Sequence, residues 1–108
     1  MINAVFYMDS EDCYTGFSVK GHAGYDKRGK DIICASVSVL TINTINAIET
    51  LTDNGFKCEQ DKSGSIKFKF SSKSDDKGQL LLSALAMGIT EISNEYGESY
   101  VQVHYKEV

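Results

Sequence analysis

The chain is 108 residues long, 42% hydrophobic and 24% charged, with a formal net charge of −4. That size and composition suit one domain with one core and exclude a disordered chain. The acidic balance argues against direct nucleic-acid binding, which usually draws on a basic patch, and no apolar stretch reads as long and unbroken enough to cross a bilayer.

The first residues, Met1 to Asp9, carry neither a basic leader nor a signal-type apolar core, so a cytosolic location is expected. The three cysteines are Cys13, Cys34 and Cys58. Their odd number and the lack of a Cys-x-x-Cys pair point to neither a disulfide framework nor a zinc site.

Residues 2–8 alternate Ile2, Ala4, Phe6 and Met8 against Asn3, Val5 and Tyr7, which predicts a strand. Asp9-Ser10-Glu11-Asp12 is a turn cluster. Residues 14–20 alternate again, so the first two strands form a hairpin. Residues 21–31 are a polar, glycine-bearing loop, long for so small a domain.

Asp31 is a candidate N-cap for a helix in which Ile33, Val37, Leu40, Ile45, Ile48 and Leu51 recur at helical spacing over about five turns. Ile32, Val39 and Ile42 widen the stripe, which predicts burial on more than one side. Asp53-Asn54-Gly55 is expected to end this helix, with Asn54 or Gly55 in the left-handed conformation.

Two strands follow, at 56–61 and 64–71, joined by Asp61-Lys62-Ser63-Gly64; the second alternates Ile66, Phe68 and Phe70 against Lys67 and Lys69. Ser74 is the expected cap of a second helix, with Asp75 and Asp76 at its positive end and Gly97 at its C-terminus. Residues 100–106 form the last strand, with Val101, Val103 and Tyr105 on one face. The order ββαββαβ predicts an α+β domain with two helices on a largely antiparallel sheet.

One segment concentrates the chemistry. Gly21-His22-Ala23 begins the loop, and Asp31-Ile32-Ile33-Cys34-Ala35 begins the helix. A cysteine in a first helical turn sits where a thiol ionises most readily, and a histidine nearby can act as its base. Taken singly, Cys34 also reads as a small packing residue and His22 as an exposed loop histidine. The loop can bring the two together.

Asp31 has two compatible roles, capping the helix and orienting His22. Ser38, one turn beyond Cys34, either lines a pocket or allows close packing. His104 falls on the polar face of the last strand. Cys13 and Cys58 lack a helix terminus or a neighbouring histidine and are read as structural. Lysines 67, 69 and 73 form a small solvated basic patch.

Gly21-His22-Ala23, the glycine-bearing loop and Asp31-Ile32-Ile33-Cys34-Ala35-x-x-Ser38 together resemble the ribosomal-processing cysteine protease family Prp. The resemblance extends over the whole chain and includes Asn46-Ala47-Ile48. It implies a small bacterial cytosolic endopeptidase with a Cys/His dyad, without cofactor or metal. Such enzymes remove the N-terminal extension of a large-subunit ribosomal protein precursor, cutting after a phenylalanine.

The resemblance also implies a homodimer and a mobile substrate loop bearing Gly21, Gly24 and Gly29. His22 would be the base and Cys34 the nucleophile, with Asp31, Ala35 and Ser38 beside them. The N–H groups of Cys34 and Ala35 are the nearest oxyanion donors in this reading. The loop interior, Gly24 to Lys30, varies within the family, so Tyr25, Lys27 and Arg28 receive no role. The competing readings are a non-catalytic module for ribosome assembly and a redox-sensing thiol protein.

Overall fold

A computed structural model describes residues 1–27 and 31–108. The expectation for Gly29 lies outside the described residues. The elements are β1 (Ile2–Met8), β2 (Tyr14–Lys20), α1 (Ile32–Leu51), β3 (Phe56–Gln60), β4 (Ile66–Phe70), α2 (Asp76–Tyr96) and β5 (Val101–Glu107). They form one five-stranded sheet in the order β3-β4-β2-β1-β5. Three of its pairings are antiparallel, and β1 with β5 is parallel. The expected α+β architecture is the observed one.

The period-2 pattern decides which face is covered. Ile2, Ala4 and Phe6 of β1, Phe17 and Val19 of β2, Ile66, Phe68 and Phe70 of β4, and Val101 of β5 are all buried. Register aligns Phe6 with Phe17 and Phe17 with Phe68, while Cys58 of β3 lies opposite Phe68. The aromatic rings therefore run across the sheet in contact: Phe6–Phe17 at 5.9 Å, Phe17–Phe68 at 5.0 Å and Phe56–Phe68 at 4.8 Å between centroids. Ile33, Val37 and Ile48 of α1 and Leu82, Leu85 and Ile89 of α2 close over them. Each such side chain contributes about 1.5–3 kcal/mol when taken from water.

Two helix ends differ from the sequence reading. Helix α1 ends at Thr52, in extended backbone with φ −132°, rather than at a left-handed Asn54 or Gly55. The Thr52 hydroxyl donates to the Ile48 carbonyl at 2.6 Å and accepts the Asn54 N–H at 3.2 Å. A β-branched hydroxyl thus terminates the helix, and Asn54 is freed for another task. Its side chain donates to Asp75 Oδ1 at 2.8 Å and accepts the Asp75 N–H at 3.1 Å.

Asp75, not Ser74, is the N-cap of α2, accepting from the Gly78 N–H at 3.0 Å. The Asn54 amide and the Gly78 N–H hold the Asp75 carboxyl below its ordinary range. Ser74 instead accepts from Gln79 Nε2 at 2.8 Å. Gly97 ends α2 as expected, its N–H on the Ser93 carbonyl at 2.8 Å.

The second apolar side of α1 is not covered. Val39 is 67% exposed and Ile42 40% exposed, and Ile32 and Leu51 are exposed with them. Burial on more than one side is therefore not seen within one chain. By length and composition alone α1 passes for a membrane-spanning helix, with a mean hydropathy of 1.5 over an 18-residue window, contrary to the expectation from sequence. Part of that apolar character is spent on the core, where one side of α1 lies against the sheet.

Phe68 touches Phe17, Phe56 and Phe70 and is 3% exposed. Phe68→Ala is expected to lower the unfolding free energy by about 3–5 kcal/mol. Urea denaturation followed by circular dichroism measures it, and a loss below about 1 kcal/mol would remove the aromatic row from the centre of the core.

Candidate active site

The site forms where β2 ends and α1 begins. Gly21 makes the exit from β2 possible. Its φ is +93°, and a Cβ there would collide with the Met1 carbonyl oxygen, so no other residue fits without a backbone shift. His22 follows, exposed, and Ala23 folds inward and is buried.

Asp31 organises what comes next. Its Oδ1 accepts the N–H groups of Ile33 and Cys34, each at 3.0 Å. Its Oδ2 accepts those of Tyr25 at 3.0 Å and Asp26 at 3.4 Å. One carboxylate therefore caps the helix and ties the loop to it. Burial opposes its ionisation, but the N–H donors of Cys34, Tyr25 and Asp26, with the Cys34 thiol, prevail and hold the carboxyl below its ordinary range. Among the described residues no hydrogen bond joins His22 to Asp31, so the expected orienting role is not seen.

Cys34 lies half-buried in the first turn of α1, and the Ala23 N–H donates to its sulfur at 3.2 Å. Cys34 and His22 line one depression of about 520 Å³ with Gly24, Asp26, Asp31, Ala35 and Ser38. A smaller recess of about 90 Å³ adjoins it, reaching Val19, Val37, Thr41 and Ile66 and bordered by Ser63 and Gly64. Of the site residues expected from sequence, the depression gathers all but Gly21, which borders the recess, and the undescribed Gly29.

The hydroxyls along α1 differ from one another. Ser36, Thr41 and Thr44 each donate to a carbonyl one turn back. The Ser38 hydroxyl has no hydrogen-bond partner among the described residues, and it faces the depression. It is a pocket residue rather than a packing one.

The N–H groups of Cys34 and Ala35 are already engaged, by the Asp31 side chain and by the Asp31 carbonyl at 3.0 Å. Neither is free to bind an oxyanion in this arrangement. Sequence reading also missed the Ala23 N–H and the Ser63–Gly64 turn. The first is a backbone group with no side-chain signal, and the second is far from His22 in the chain.

The remaining candidates stand apart. His104 is exposed on β5, opposite Val5. Cys58 is exposed on the edge strand β3, and what burial it has, with the charge of Glu59, pushes its thiol up. Cys13 lies in the β1–β2 connection, its N–H on Asp9 Oδ1 at 3.1 Å. Among the described residues no cluster of His, Cys, Asp and Glu is placed to hold a metal ion.

A sequence model of the family described as cysteine protease Prp matches residues 1–102. The ribosomal processing cysteine protease Prp of Staphylococcus aureus is 28% identical over 107 residues, covering 98% of this chain and all of the relative. The crystal structure of an essential ribosomal processing protease Prp from S. aureus, in complex with a covalently linked product peptide, matches with a TM-score of 0.93. Its identity is 27%, over 98% of this chain and 100% of that one. SMU.848 from Streptococcus mutans matches with a TM-score of 0.86 and 34% identity, over 100% and 96% of the two chains. These likenesses make the protein a cysteine peptidase. The chain belongs to the cysteine protease Prp family.

Asp31→Ala is expected to cost about 1–2 kcal/mol of stability at neutral pH, the usual range for a lost cap. Folding lowers the Asp31 pKa, so its stabilisation is complete above the unfolded carboxylate value near 4 and fades as pH falls through the lower folded value. Wild type and variant should therefore converge in acid. Denaturant unfolding across that range reads the difference; a gap that stays constant contradicts this account of the carboxylate.

Proposed function

We propose that the chain is a cytosolic endopeptidase that removes the N-terminal extension of a large-subunit ribosomal protein precursor, cutting after a phenylalanine, with Cys34 as nucleophile and His22 as base. The observation that carries this is the shared depression: His22, Cys34 and Ser38 line one space at a helix start. The kinship to ribosomal processing proteases, one of them solved with a covalently linked product peptide, supports the substrate class.

The Cys34 sulfur attacks the scissile carbonyl carbon while His22 accepts the thiol proton. The C–N bond then breaks, and His22 returns that proton to the departing amine. A water deprotonated by His22 attacks the thioester, releasing the new carboxylate and restoring the thiol. The Ala23 N–H donates to the Cys34 sulfur at 3.2 Å and, once the sulfur has attacked, is released as a backbone donor for the oxyanion beside it. Ser38 offers a hydroxyl to the peptide backbone. His22 and Cys34 share no hydrogen bond in the free chain, so substrate binding tightens the pair.

A homodimer is part of this reading. The uncovered strip Ile32, Val39 and Ile42 on α1 runs beside the depression and gives a second copy an apolar surface to cover. Val39→Glu is expected to shift sedimentation from dimer to monomer. A wild-type monomer at micromolar concentration, or a variant that still dimerises, removes the strip from this role.

Incubating the chain with a peptide copying the precursor's N-terminal extension, followed by mass spectrometry, tests the activity. Wild type should make one cut; Cys34→Ala should make none while keeping its fold, since alanine favours a helix. His22→Ala should slow turnover by about 10²–10⁴-fold. Peptide binding without cleavage by wild type would favour a non-catalytic module instead.

A further inference from the structure

The face of the sheet turned away from the helices has an unusual charge. Register places Lys57 opposite Lys69, Glu59 opposite Lys67, and Lys106 opposite Tyr7. Gly16 and Ser18 of β2 lie between these strands, opposite Lys69 and Lys67 on one side and Tyr7 and Val5 on the other. Four of the chain's eleven basic residues thus share this face with Glu59, one of its fifteen acidic residues. His104 lies on the same face of β5, and Lys20 sits at its margin, near enough to Asp61 to lower that carboxyl. An average charge of −4 hides this segregation.

Like charges directly opposite one another weaken a sheet. Lys57 and Lys69 are such a pair. Among the described residues the one ion pair within 4.0 Å is Lys73–Glu11, so none of the four lysines is neutralised in that way.

The face is also shaped. A trough of about 410 Å³ runs between the strands, lined by Tyr7, Thr15, Gly16, Ser18, Lys67 and Lys69 among others, with Val108 at its border. A Cβ on Gly16 would collide with the Phe68 carbonyl oxygen, so the floor stays flat there. Tyr7, half-buried, stands opposite Gly16, which adds no side chain beside its ring on that strand. Cationic side chains along a groove that an aromatic ring lines are what a single-stranded nucleic acid needs, phosphates on the lysines and a base on the ring's accessible part.

We propose that this open sheet face binds single-stranded RNA, with Lys57, Lys67, Lys69 and Lys106 holding phosphates and Tyr7 stacking on a base. The surface lies on the opposite side of the sheet from α1, and the proposal does not depend on the peptidase reading. Lysines two apart on one strand stand about 6.6–6.8 Å apart, and neighbouring strands about 4.8 Å, which lets a flexible backbone engage several at once.

Fluorescence anisotropy of a labelled oligouridine of roughly 12 nucleotides, titrated with the full chain, tests this. Affinity should fall between about 50 and 200 mM salt with a log–log slope near −2 to −3, about 0.7 for each of three or four phosphate contacts. Lys67→Gln with Lys69→Gln should weaken binding at least tenfold and reduce the slope by about 1.4. Tyr7→Ala should weaken binding and leave the slope alone. Lys77→Gln, on α2, should bind as wild type does. The lysines are exposed, so their variants keep the fold, which circular dichroism checks. Absence of binding at low salt, or lysine variants that bind like wild type, overturns the proposal. Polyglutamate competing as well as RNA at equal charge overturns it too, and assigns the face to an acidic protein.

Discussion

The carboxylate of Asp31 gathers four backbone N–H groups, two from the first turn of α1 and two from the loop that precedes it. Donors at a helix start must be satisfied by something, and a side chain that satisfies them also fixes where the incoming chain runs. Here the loop is drawn against α1, Ala23 is buried and its N–H meets the Cys34 sulfur. His22, one residue earlier, is left at the rim of the same depression. Asp31 is 8% exposed, so these bonds are little diluted by water. The carboxylate acts on the site through the backbone and through the Cys34 thiol, and no hydrogen bond joins it to His22 among the described residues.

The sheet sets the second constraint. Both helices cover one side, where the phenylalanine row concentrates apolar surface, and the other side is left to water. A strand that buries every second residue must present the intervening ones outward. In β4 these are Lys67 and Lys69, and their neighbours are decided by register with β2 and β3. The site therefore lies at one end of the layered core and the cationic trough on its uncovered back. The two are separated by the sheet itself.

Much of this was legible in the sequence because it is local. The alternation in β1, β2 and β4 and the apolar period in α1 and α2 each follow from neighbours a few residues apart. The clustering of the candidate residues was legible for the same reason, since His22, Asp31, Cys34 and Ser38 fall within one short stretch joined by one loop and line one depression. What sequence did not disclose depends on distant pairings. Asn54 leaves the α1 terminus because Asp75, far along the chain, offers it two hydrogen bonds. Ser63 and Gly64 reach the recess only because β3 and β4 bring their turn there. The lysine face emerges only once all five strands are set in register, and composition averages it away.

Helix α1 shows how one element serves several ends without conflict. Ile33, Val37 and Ile48 are buried against the core, and Thr41 beside them turns its hydroxyl back to the Val37 carbonyl. Cys34, Ala35 and Ser38 fall on the adjoining rim, and Val39 and Ile42 on the outer side. The 3.6-residue period interleaves these sets, so neighbours in sequence do different work. Stability comes from the buried set, where cavities are costly. The rim carries the proposed chemistry, with Cys34 half-buried against the edge of the core, so that its change to alanine removes one atom there rather than a central side chain. The proposed chemistry and the fold's stability thus draw on different residues of the same few helical turns.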